Sequence, residues 1–508
     1  MATLKSLTTY DDVLTPSTSD IRTEYLDPIT QNTYKYTFRL DQAGYLDTNS
    51  MLIFKLKGLT NNNEQRVNMW NGALGAIKRV IFQVGDNIIN DVQDVYKYST
   101  LKNMNMPPSM RNGYLGHYLG NQLWTQVRKS AGETIRADTN SNTYENSDNS
   151  KVGAIVLNPT DSGAYLGKAN GAGDSFINSH SISTDAATNP QYGIPLGMLI
   201  PALKGQKIPL FLFDKQRILL TFEFNTSDNF CNNLTGANVD YIGSRAGNAN
   251  FSGDSISGTV IPFGVKLVVD YIIVPSDIQN QIVAQTQKQG GYQLEFYDVV
   301  NIEKNLVGGL GNNTEQSVEH RIGQNNREVH NIIMWKDAPK SSMALAGDTG
   351  SSRGSALMLK QGCLGFSQEE FNVNVDGRDE FDHFVYNPVS QYNEISNVVG
   401  ADLKVERPFY CVDDNTAVSE LAKIESGILG TFKPLALSLR SGQGGIVGGG
   451  RMIGNYPIIW KYKRQAFTPQ KNNVLDSSGS VKCNYFCEVS RTANILNTPA
   501  GTNVVVSY

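Results

Sequence analysis

Segments in which apolar and polar residues alternate occur along the whole chain. Tyr34–Leu40 and Met51–Lys57 alternate at a period of two for much of their length, and Arg217–Phe224 does so further along. A period of two places every second side chain on the same face of a β-strand. One face of each strand is then apolar and the other polar, and the pattern predicts a chain built mainly of strands.

The second half of the chain continues this pattern. Strands are predicted at Tyr292–Ile302, Glu328–Trp335, Phe371–Val375, Pro434–Leu439, Tyr456–Tyr462 and Val481–Val489. In the last of these, Cys483, Tyr485 and Cys487 share one face. The two thiols would lie about 13 Å apart along the strand, which is too far for a disulfide. We expect reduced cysteines that fill a core.

A few segments have the features of helices. Ile88–Met104 spaces its apolar residues loosely like a helix, and Thr416–Ser426 follows an Asp-Asp-Asn cluster that can cap one. Ser276–Lys288 begins with a capping serine and ends before Gly290 and Gly291. Because this last segment lies between two series of strands, we expect it to connect two β domains.

Stretches rich in Asn, Ser, Gly, Asp and Thr interrupt the first series of strands at residues 130–189 and 225–258. Loops of this length usually form functional or interaction surfaces. Residues 1–20 have no periodic pattern and predict an extended arm. The predicted organisation is an arm at 1–20, a first β domain at 21–275, a connecting helix at 276–291 and a second β domain at 292–508.

The composition excludes several classes of protein. Only 18% of the residues are charged and 40% are hydrophobic, which disfavours long solvated helices and coiled coils. A net charge of −4 gives no basic surface for nucleic acid. No stretch approaches the roughly 20 uncharged apolar residues of a membrane span, and Met1–Tyr10 lacks the apolar segment of a secretion signal. We expect a protein that is made in the cytosol, has no membrane span and does not bind nucleic acid tightly.

The segment Asn372–His383 is the best candidate for a metal site. Asn374, Asp376 and Gly377 match the third, fifth and sixth positions of a calcium-binding loop. The first and last residues of the segment, Asn and His, stand where that loop requires Asp and Glu. A strand that ends in an Asp-Gly turn explains these residues better, and we predict no metal here.

Other candidate motifs lack the surroundings that their chemistry needs. Gly350–Gly354 matches a nucleophile elbow around Ser352, but no hydrophobic strand precedes it. The glycine-rich segments Gly308–Gly311 and Gly442–Gly450 lack the βαβ setting of a nucleotide site. The five histidines show no spacing typical of metal ligands.

Two pairs of adjacent carboxylates, Glu369–Glu370 and Asp379–Glu380, could serve glycoside hydrolysis only if their side chains converged. Neighbouring residues of a strand point to opposite faces, which argues against this. The basic cluster Lys461–Arg464 predicts a half-buried strand, with Trp460 and Tyr462 on the face opposite the lysines. We therefore expect no catalytic, cofactor-binding or metal-binding residues, and no enzyme.

The segments of the first half follow one another in a distinctive order: Met51–Lys57, Gly75–Asp86, Ile194–Pro201, Leu203–Leu210, Arg217–Phe224 and Phe263–Val274. In this order the first half resembles the N-terminal jelly roll of the double jelly-roll major capsid proteins of double-stranded DNA viruses. The second half, from Tyr292 to Val489, resembles the second jelly roll. Within that lineage the chain most resembles the virophage and polinton-like group, the mavirus type in particular.

The resemblance implies an all-β fold of two jelly-roll sandwiches in tandem, with long loops and a few short helices. It implies a homotrimer whose six similar jelly rolls form a pseudo-hexameric capsomer of an icosahedral virion. Neighbouring capsomers, a penton protein and other minor capsid proteins are then the expected partners, and synthesis in the host cytoplasm is expected. The alternative is a carbohydrate- or receptor-binding sandwich protein of the fibre or lectin kind. A sandwich glycosidase is a weaker alternative.

Overall fold

The computed structural model describes residues 20–59, 64–67, 72–104, 118–119, 126–127, 154–155, 181–182, 189–204, 206–226, 231–234, 260–306, 316–337, 363, 369–385, 390–391, 394–395, 398, 434–440, 449–464, 481–498 and 501–507. The predicted arm, apart from residue 20, lies outside these ranges, as do the predicted helix Thr416–Ser426 and most of the two long loops. Strands dominate the described chain, and the prediction of an all-β fold is confirmed.

The first half forms two main antiparallel sheets. Sheet I has the order β12-β5-β16-β4-β13, with β1 on β16, and sheet II has the order β2-β3-β14-β7-β8. Two small sheets, β10-β9 and β11-β6-β15, lie apart from them. The strands are β1 (Asp20–Leu26), β2 (Thr30–Gln31), β3 (Lys35–Leu40), β4 (Tyr45–Leu46), β5 (Met51–Gly58), β6 (Glu64–Val67), β7 (Ile77–Val84), β8 (Asn87–Gln93), β9 (Gln126–Val127), β10 (Ala154–Ile155), β11 (Ser181–Ile182), β12 (Gln191–Pro195), β13 (Ile208–Pro209), β14 (Ile218–Phe224), β15 (Cys231–Leu234) and β16 (Val260–Ile273).

The second half also forms two antiparallel sheets. Sheet III has the order β17-β25-β19-β22, with β23 on β19 and β26 on β25, and sheet IV has the order β18-β24-β20-β21. Its strands are β17 (Tyr292–Leu306), β18 (Gln316–Gly323), β19 (Glu328–Lys336), β20 (Glu369–Val375), β21 (Arg378–Asp379), β22 (Leu435–Ser438), β23 (Arg451–Met452), β24 (Ile458–Arg464), β25 (Val481–Thr498) and β26 (Gly501–Ser507). No strand of sheets III and IV pairs with a strand of sheets I and II within the described residues.

The described helices are short: α1 (Val95–Met104), α2 (Leu196–Leu199) and α3 (Ser276–Lys288), with 3-10 turns at Gly72–Ala76, Pro201–Leu203 and Leu210–Leu212. Helix α3 has the predicted bounds and lies between the two pairs of sheets. The predicted serine cap is wrong, because Pro275 is the N-cap and no side chain caps this end. The helix predicted from Ile88 is wrong in its first part, because β8 pairs there with β7. Hydrogen bonding to the edge of sheet II overrides a loose helical spacing, and the helix begins only after Asp94, whose φ is 50°.

Sheets I and II pack face to face through aromatic side chains. The ring of Phe54 on β5 lies edge-on to the ring of Phe224 on β14, with 5.2 Å between centroids. Phe38 and Phe222, on neighbouring strands of sheet II, are 5.9 Å apart in a similar arrangement. These residues are buried because the alternation in β3, β5 and β14 turns one face of each strand inward. Edge-to-face contacts of this kind are favoured by the ring quadrupole.

Sheets III and IV enclose a second core around Trp460. Its ring stacks on Phe371 at 5.0 Å and contacts Tyr485 of the opposite sheet at 5.6 Å. Cys483 and Cys487 flank Tyr485 on the same face of β25, and both are buried free thiols. The prediction that these cysteines fill a core without pairing is confirmed.

Sheet III is buried on both faces. In β19, Ile332 and Met334 belong to the core shared with sheet IV, whereas Ile333 and Trp335 belong to a core that continues into sheets I and II. Every residue of β19 after Glu328 is buried. A strand covered on both sides is apolar at successive positions instead of alternating, which accounts for the run Ile332–Trp335. The core of the first sandwich therefore continues onto the outer face of sheet III, while sheets III and IV enclose a separate core.

Gly44 provides a test of how tightly sheet I is packed. Gly44 and Gly264 have similar positive φ angles, 66° and 59°. A Cβ at Gly44 would lie 2.2 Å from the carbonyl oxygen of Ile272, whereas one at Gly264 would meet nothing within 4 Å. Gly264→Ala should carry only the conformational cost of about 1–2 kcal/mol. Gly44→Ala should lower the free energy of unfolding in urea by clearly more, and equal losses would contradict the packing described.

Candidate functional site

The segment considered as a calcium loop, Asn372–His383, contains a hairpin, in agreement with the predicted strand and Asp-Gly turn. Strands β20 and β21 pair directly, which leaves Asp376 and Gly377 as the turn between them. Both residues have positive φ, 51° and 81°, as a type I′ turn requires. The Asp376 carboxylate accepts a hydrogen bond from Gly454 N–H at 2.9 Å, and the Asn372 amide donates to Phe381 O at 2.9 Å. These side chains bond the backbone instead of converging. In the part of the chain that the structure describes, no three His, Cys, Asp or Glu side chains are grouped as metal ligands.

The carboxylates singled out in the sequence have separate partners. Glu369 is fully buried and accepts hydrogen bonds from Lys336 Nζ at 2.6 Å and from Tyr462 OH at 2.9 Å. The adjacent residues Asp379 and Glu380 bind two different cations. Asp379 pairs with Lys461, and Glu380 pairs with Arg451. The geometry thus directs each carboxylate to a structural contact.

The basic cluster Lys461–Arg464 lies on β24 as predicted, with Trp460 and Tyr462 buried on the face opposite Lys461. Ser352, the glycine-rich segment 308–311 and most of 442–450 lie outside the described residues. Among the described helices, none has the length and apolar character needed to cross a membrane.

The densest set of long-range polar contacts lies where the two sandwiches meet, and we call this region the junction. It consists of β8, α1 and residues 201–204 and 206 from the first sandwich, and β17, β19 and β25 from the second. Helix α1 lies on the face of sheet III that carries Asn331, Ile333 and Phe486, and the Tyr98 ring is 6.1 Å from that of Phe486. The candidate functional site is this junction, because it sets how the two sandwiches are oriented.

Asn90 and Arg491 form the centre of one half of the junction. The Asn90 amide donates to Asp298 Oδ1 at 2.8 Å, and its oxygen accepts from Ala202 N–H at 3.0 Å. Arg491 Nη1 donates to Asp298 Oδ2 at 2.8 Å and to Ile89 O at 3.0 Å. Each side chain bonds partners of both sandwiches, so the contact cannot open without leaving buried polar groups unpaired.

Further ties cross the junction on either side of this centre. Lys97 Nζ contacts Asp337 Oδ2 at 2.6 Å, and the Lys97 side chain is almost fully buried. Gln206 donates to Glu295 O at 3.0 Å, and Gln216 donates to Thr502 O at 2.5 Å. These amides bond main-chain carbonyls, which fixes the position of the backbone as well as of the side chains.

Glu488 is the most highly connected residue of the junction. Its carboxylate accepts short hydrogen bonds from Tyr98 OH and from the Asn331 amide. Lys102 Nζ lies 2.9 Å from Oε1, and two further cations, Lys204 and Arg440, lie 3.6 Å from the carboxylate oxygens. One carboxylate that is 1% exposed thus gathers side chains from both sandwiches.

The cations decide the protonation state of this carboxyl group. Burial alone would raise the pKa of Glu488, but the charges of Lys102 and Lys204 and the hydrogen bond from Tyr98 outweigh it and hold the pKa well below the ordinary value. Burial beside the carboxylate raises the pKa of Tyr98 well above its ordinary value, so the phenol keeps its proton and donates.

Sequence reasoning did not find the junction. In Val481–Val489, the alternation assigns Cys483, Tyr485 and Cys487 to a buried face. Glu488 lies on the opposite face with Lys482 and Asn484, and these residue types predict a polar surface. That face is covered by α1, which the strand pattern does not reveal. The usable signals were Phe486 on the polar face and the unbroken apolar run of β19.

Comparison with known proteins supports the fold. No family model matches the sequence, and no curated protein is similar to it. A chain of the PBCV-1 virus capsid is similar in structure, with a TM-score of 0.54 and 11% identity over 98% of this chain and 99% of that one. A chain of the Sputnik virophage is similar with a TM-score of 0.50 and 8% identity over 96% and 88%. The chain has the double jelly-roll fold of these capsid structures, as predicted.

The mavirus major capsid protein is also similar, with a TM-score of 0.43 and 10% identity over 97% of this chain and 90% of that chain. At these identities the similarity concerns the fold. The finer, mavirus-type assignment stays a prediction.

Removing the charge of Glu488 should destabilise the protein. Glu488→Gln leaves Lys102, Lys204 and Arg440 without their carboxylate, and breaking a buried ion pair costs about 3 kcal/mol or more. Glu303→Gln is the matched control. Glu303 on β17 pairs with Lys482 on β25, the strand that carries Glu488, but both side chains of this pair are more than half exposed. The control should change the free energy of unfolding by less than about 0.5 kcal/mol. Similar losses in denaturant titrations would refute the role of the buried carboxylate.

The contribution of Glu488 should also depend on pH. A carboxyl group whose folded pKa is depressed stabilises the fold above its unfolded pKa, and this stabilisation is lost as pH falls through the folded pKa. The difference in unfolding free energy between the wild type and Glu488→Gln should therefore be constant near neutrality and shrink below about pH 4.5, the ordinary value for Glu. Denaturant titrations at a series of pH values measure this difference. A difference that is constant down to pH 3 would contradict a charged Glu488.

Proposed function

We propose that this chain is a structural capsid protein and that three copies form a pseudo-hexameric capsomer of an icosahedral virion shell. The observation that carries the proposal is the double jelly-roll fold with its two sandwiches joined along a continuous core. The chains that it resembles belong to the PBCV-1 capsid and to the Sputnik virophage. The proposed division is an arm at 1–20, jelly rolls at 21–275 and 292–508, and a linker helix at 276–291.

The junction supports this role through its geometry. A capsomer with near-sixfold symmetry needs two sandwiches of similar size held at one constant angle in each of three copies. Sheet III supplies apolar contacts through Ile333, Trp335 and Phe486, and the polar contacts of Asn90, Arg491 and Lys97 fix its register. Two independent sandwiches joined by a flexible linker would not form a subunit of constant shape.

The low charge content is consistent with self-association. With 18% charged residues and a net charge of −4, copies of the chain can approach one another without strong mutual repulsion. We infer that the expected partners are further copies of the chain, a penton protein and other minor capsid proteins. The loops 130–189 and 225–258 are proposed to contact neighbouring copies.

The role that we propose is structural and not enzymatic. The carboxylates of the described chain that could have served glycoside hydrolysis are committed to Lys336, Lys461 and Arg451. A carbohydrate- or receptor-binding function is the competing class, and no contact of the described residues favours it. The proposed location is the virion capsid, after synthesis in the host cytoplasm.

The mass of the protein in solution tests this proposal. We expect a stable trimer with a mass near three times 55.8 kDa by light scattering, and ordered shells or sheets of these trimers by electron microscopy. Assembly should strengthen with salt that screens the residual repulsion. A protein that stays monomeric at all concentrations and binds a glycan array would overturn the proposal in favour of the competing class.

A further inference from the structure

The cations around Glu488 outnumber the anions that they contact. Lys102, Lys204 and Arg440 all lie within 3.6 Å of the same carboxylate. Glu488 carries one negative charge against three positive charges, so the cluster has a surplus of two. Like charges gathered on one carboxylate repel one another, and a further anion would relieve this repulsion.

Contacts with the protein hold these cations together despite their repulsion. Lys204 Nζ lies 4.8 Å from the centroid of the Tyr297 ring, and the Arg440 guanidinium lies 5.9 Å from the same centroid. Lys102 Nζ is 5.3 Å from the Tyr98 ring. Cation–π contacts orient the charged groups without neutralising them. The three cations are thus held close together before any ligand binds.

The cations are accessible from solvent while their shared carboxylate is not. The side chains of Lys102, Lys204 and Arg440 are 21%, 38% and 37% exposed, against 1% for Glu488. Their outer sides therefore remain available to a small ligand, since Glu488 occupies only the inner side.

Among the described residues, no carboxylate other than Glu488 forms an ion pair with Lys102, Lys204 or Arg440. The carboxylate of Glu328, which lies beside His330, accepts a hydrogen bond from Gly450 N–H at 2.9 Å. The sequence has no Asp or Glu between Arg440 and Asp476, and none in the thirty residues that follow Lys102. The chain that follows two of the three cations therefore contains no carboxylate.

His330 adds a polar atom next to the same aromatic ring. Its ring is fully buried and lies edge-on to Tyr297 at 4.8 Å. Its Nε2 is 2.6 Å from Ser490 Oγ, and its Nδ1 has no hydrogen-bond partner among the described residues. A buried nitrogen without a partner is a costly feature unless something else bonds it, and this one belongs to a ring that contacts Tyr297, as Lys204 and Arg440 do.

We propose that Lys102, Lys204 and Arg440 form a binding site for a small dianionic oxyanion of the phosphate class, at the junction of the two jelly rolls. A doubly charged group matches the surplus of two positive charges. The guanidinium of Arg440 offers parallel N–H donors that suit phosphate oxygens, and the lysines add point charges. The ligand would bridge both sandwiches, because Lys102 and Lys204 belong to the first and Arg440 to the second.

The electrostatics of Lys204 agree with this assignment. Desolvation lowers its pKa to about 8, and repulsion from Lys102 and Arg440 acts in the same direction against the attraction of Glu488. A bound dianion would relieve this repulsion and return the pKa of Lys204 towards its ordinary value.

Phosphate binding to the full-length protein tests the site. Titration with inorganic phosphate at constant ionic strength, followed by calorimetry and by 31P NMR line broadening, should give saturable binding to one site per chain. Phosphate should also raise the midpoint of thermal unfolding. Arg440→Gln and Lys204→Gln should each weaken binding about tenfold or more, since each removes a charge-assisted contact. Lys482→Gln, an exposed lysine on β25, is the matched control and should bind phosphate like the wild type.

The outcomes separate cleanly. Absence of saturable phosphate binding by the wild type would overturn the proposal, even if a variant failed to fold. Equal weakening by Lys482→Gln would overturn it too, because binding would then follow net charge alone. The proposal does not depend on trimer formation. A trimer that does not bind phosphate would contradict only the site, and a monomer that binds phosphate would contradict only the capsid role.

Discussion

The burial of sheet III on both faces is the constraint on which the rest of the structure depends. Strand β19 presents Ile332 and Met334 to one core and Ile333 and Trp335 to the other. An apolar sheet face of this size cannot remain in water, because each buried aliphatic or aromatic side chain contributes about 1.5–3 kcal/mol of burial free energy. The first sandwich covers that face. The two jelly rolls are thus one body with a shared core, and their relative orientation is a property of the fold.

This shared core explains where the charges of the chain lie. Only 18% of the residues are charged, yet several are buried where sheets meet: Lys336 with Glu369, Arg491 with Asp298, Lys97 with Asp337, and Glu488 with its three cations. A buried ion pair adds little stability compared with an apolar pair, but it penalises every arrangement in which the partners are separated. We infer that these pairs select one register between the sandwiches, while the apolar contacts supply most of the stability.

Much of the fold could be predicted from the chain because strands follow from local patterning. The alternation in β3, β5 and β14 and the apolar spacing and following glycines of α3 each specify their element within a few residues. The failures had different causes. Strand β8 was predicted as helix because its apolar residues are loosely spaced like those of a helix, although it forms a hairpin with β7. Glu488 was not singled out because nothing in Val481–Val489 indicates that a helix covers its face of the strand.

The sequence alone determined the fold class, the two-part organisation, the reduced cysteines of β25 and the hairpin at Asp376–Gly377, since each rests on residues close together in the chain. The tertiary structure decided the junction. Tyr98, Lys102, Lys204, Asn331, Arg440 and Glu488 span almost four hundred positions of the chain, and their meeting depends on how two finished sandwiches pack. Burial and electrostatic coupling at such a place are sums over distant segments, so no local pattern encodes them. Local sequence patterns specify the strands, whereas the charged junction forms only when the two sandwiches pack together.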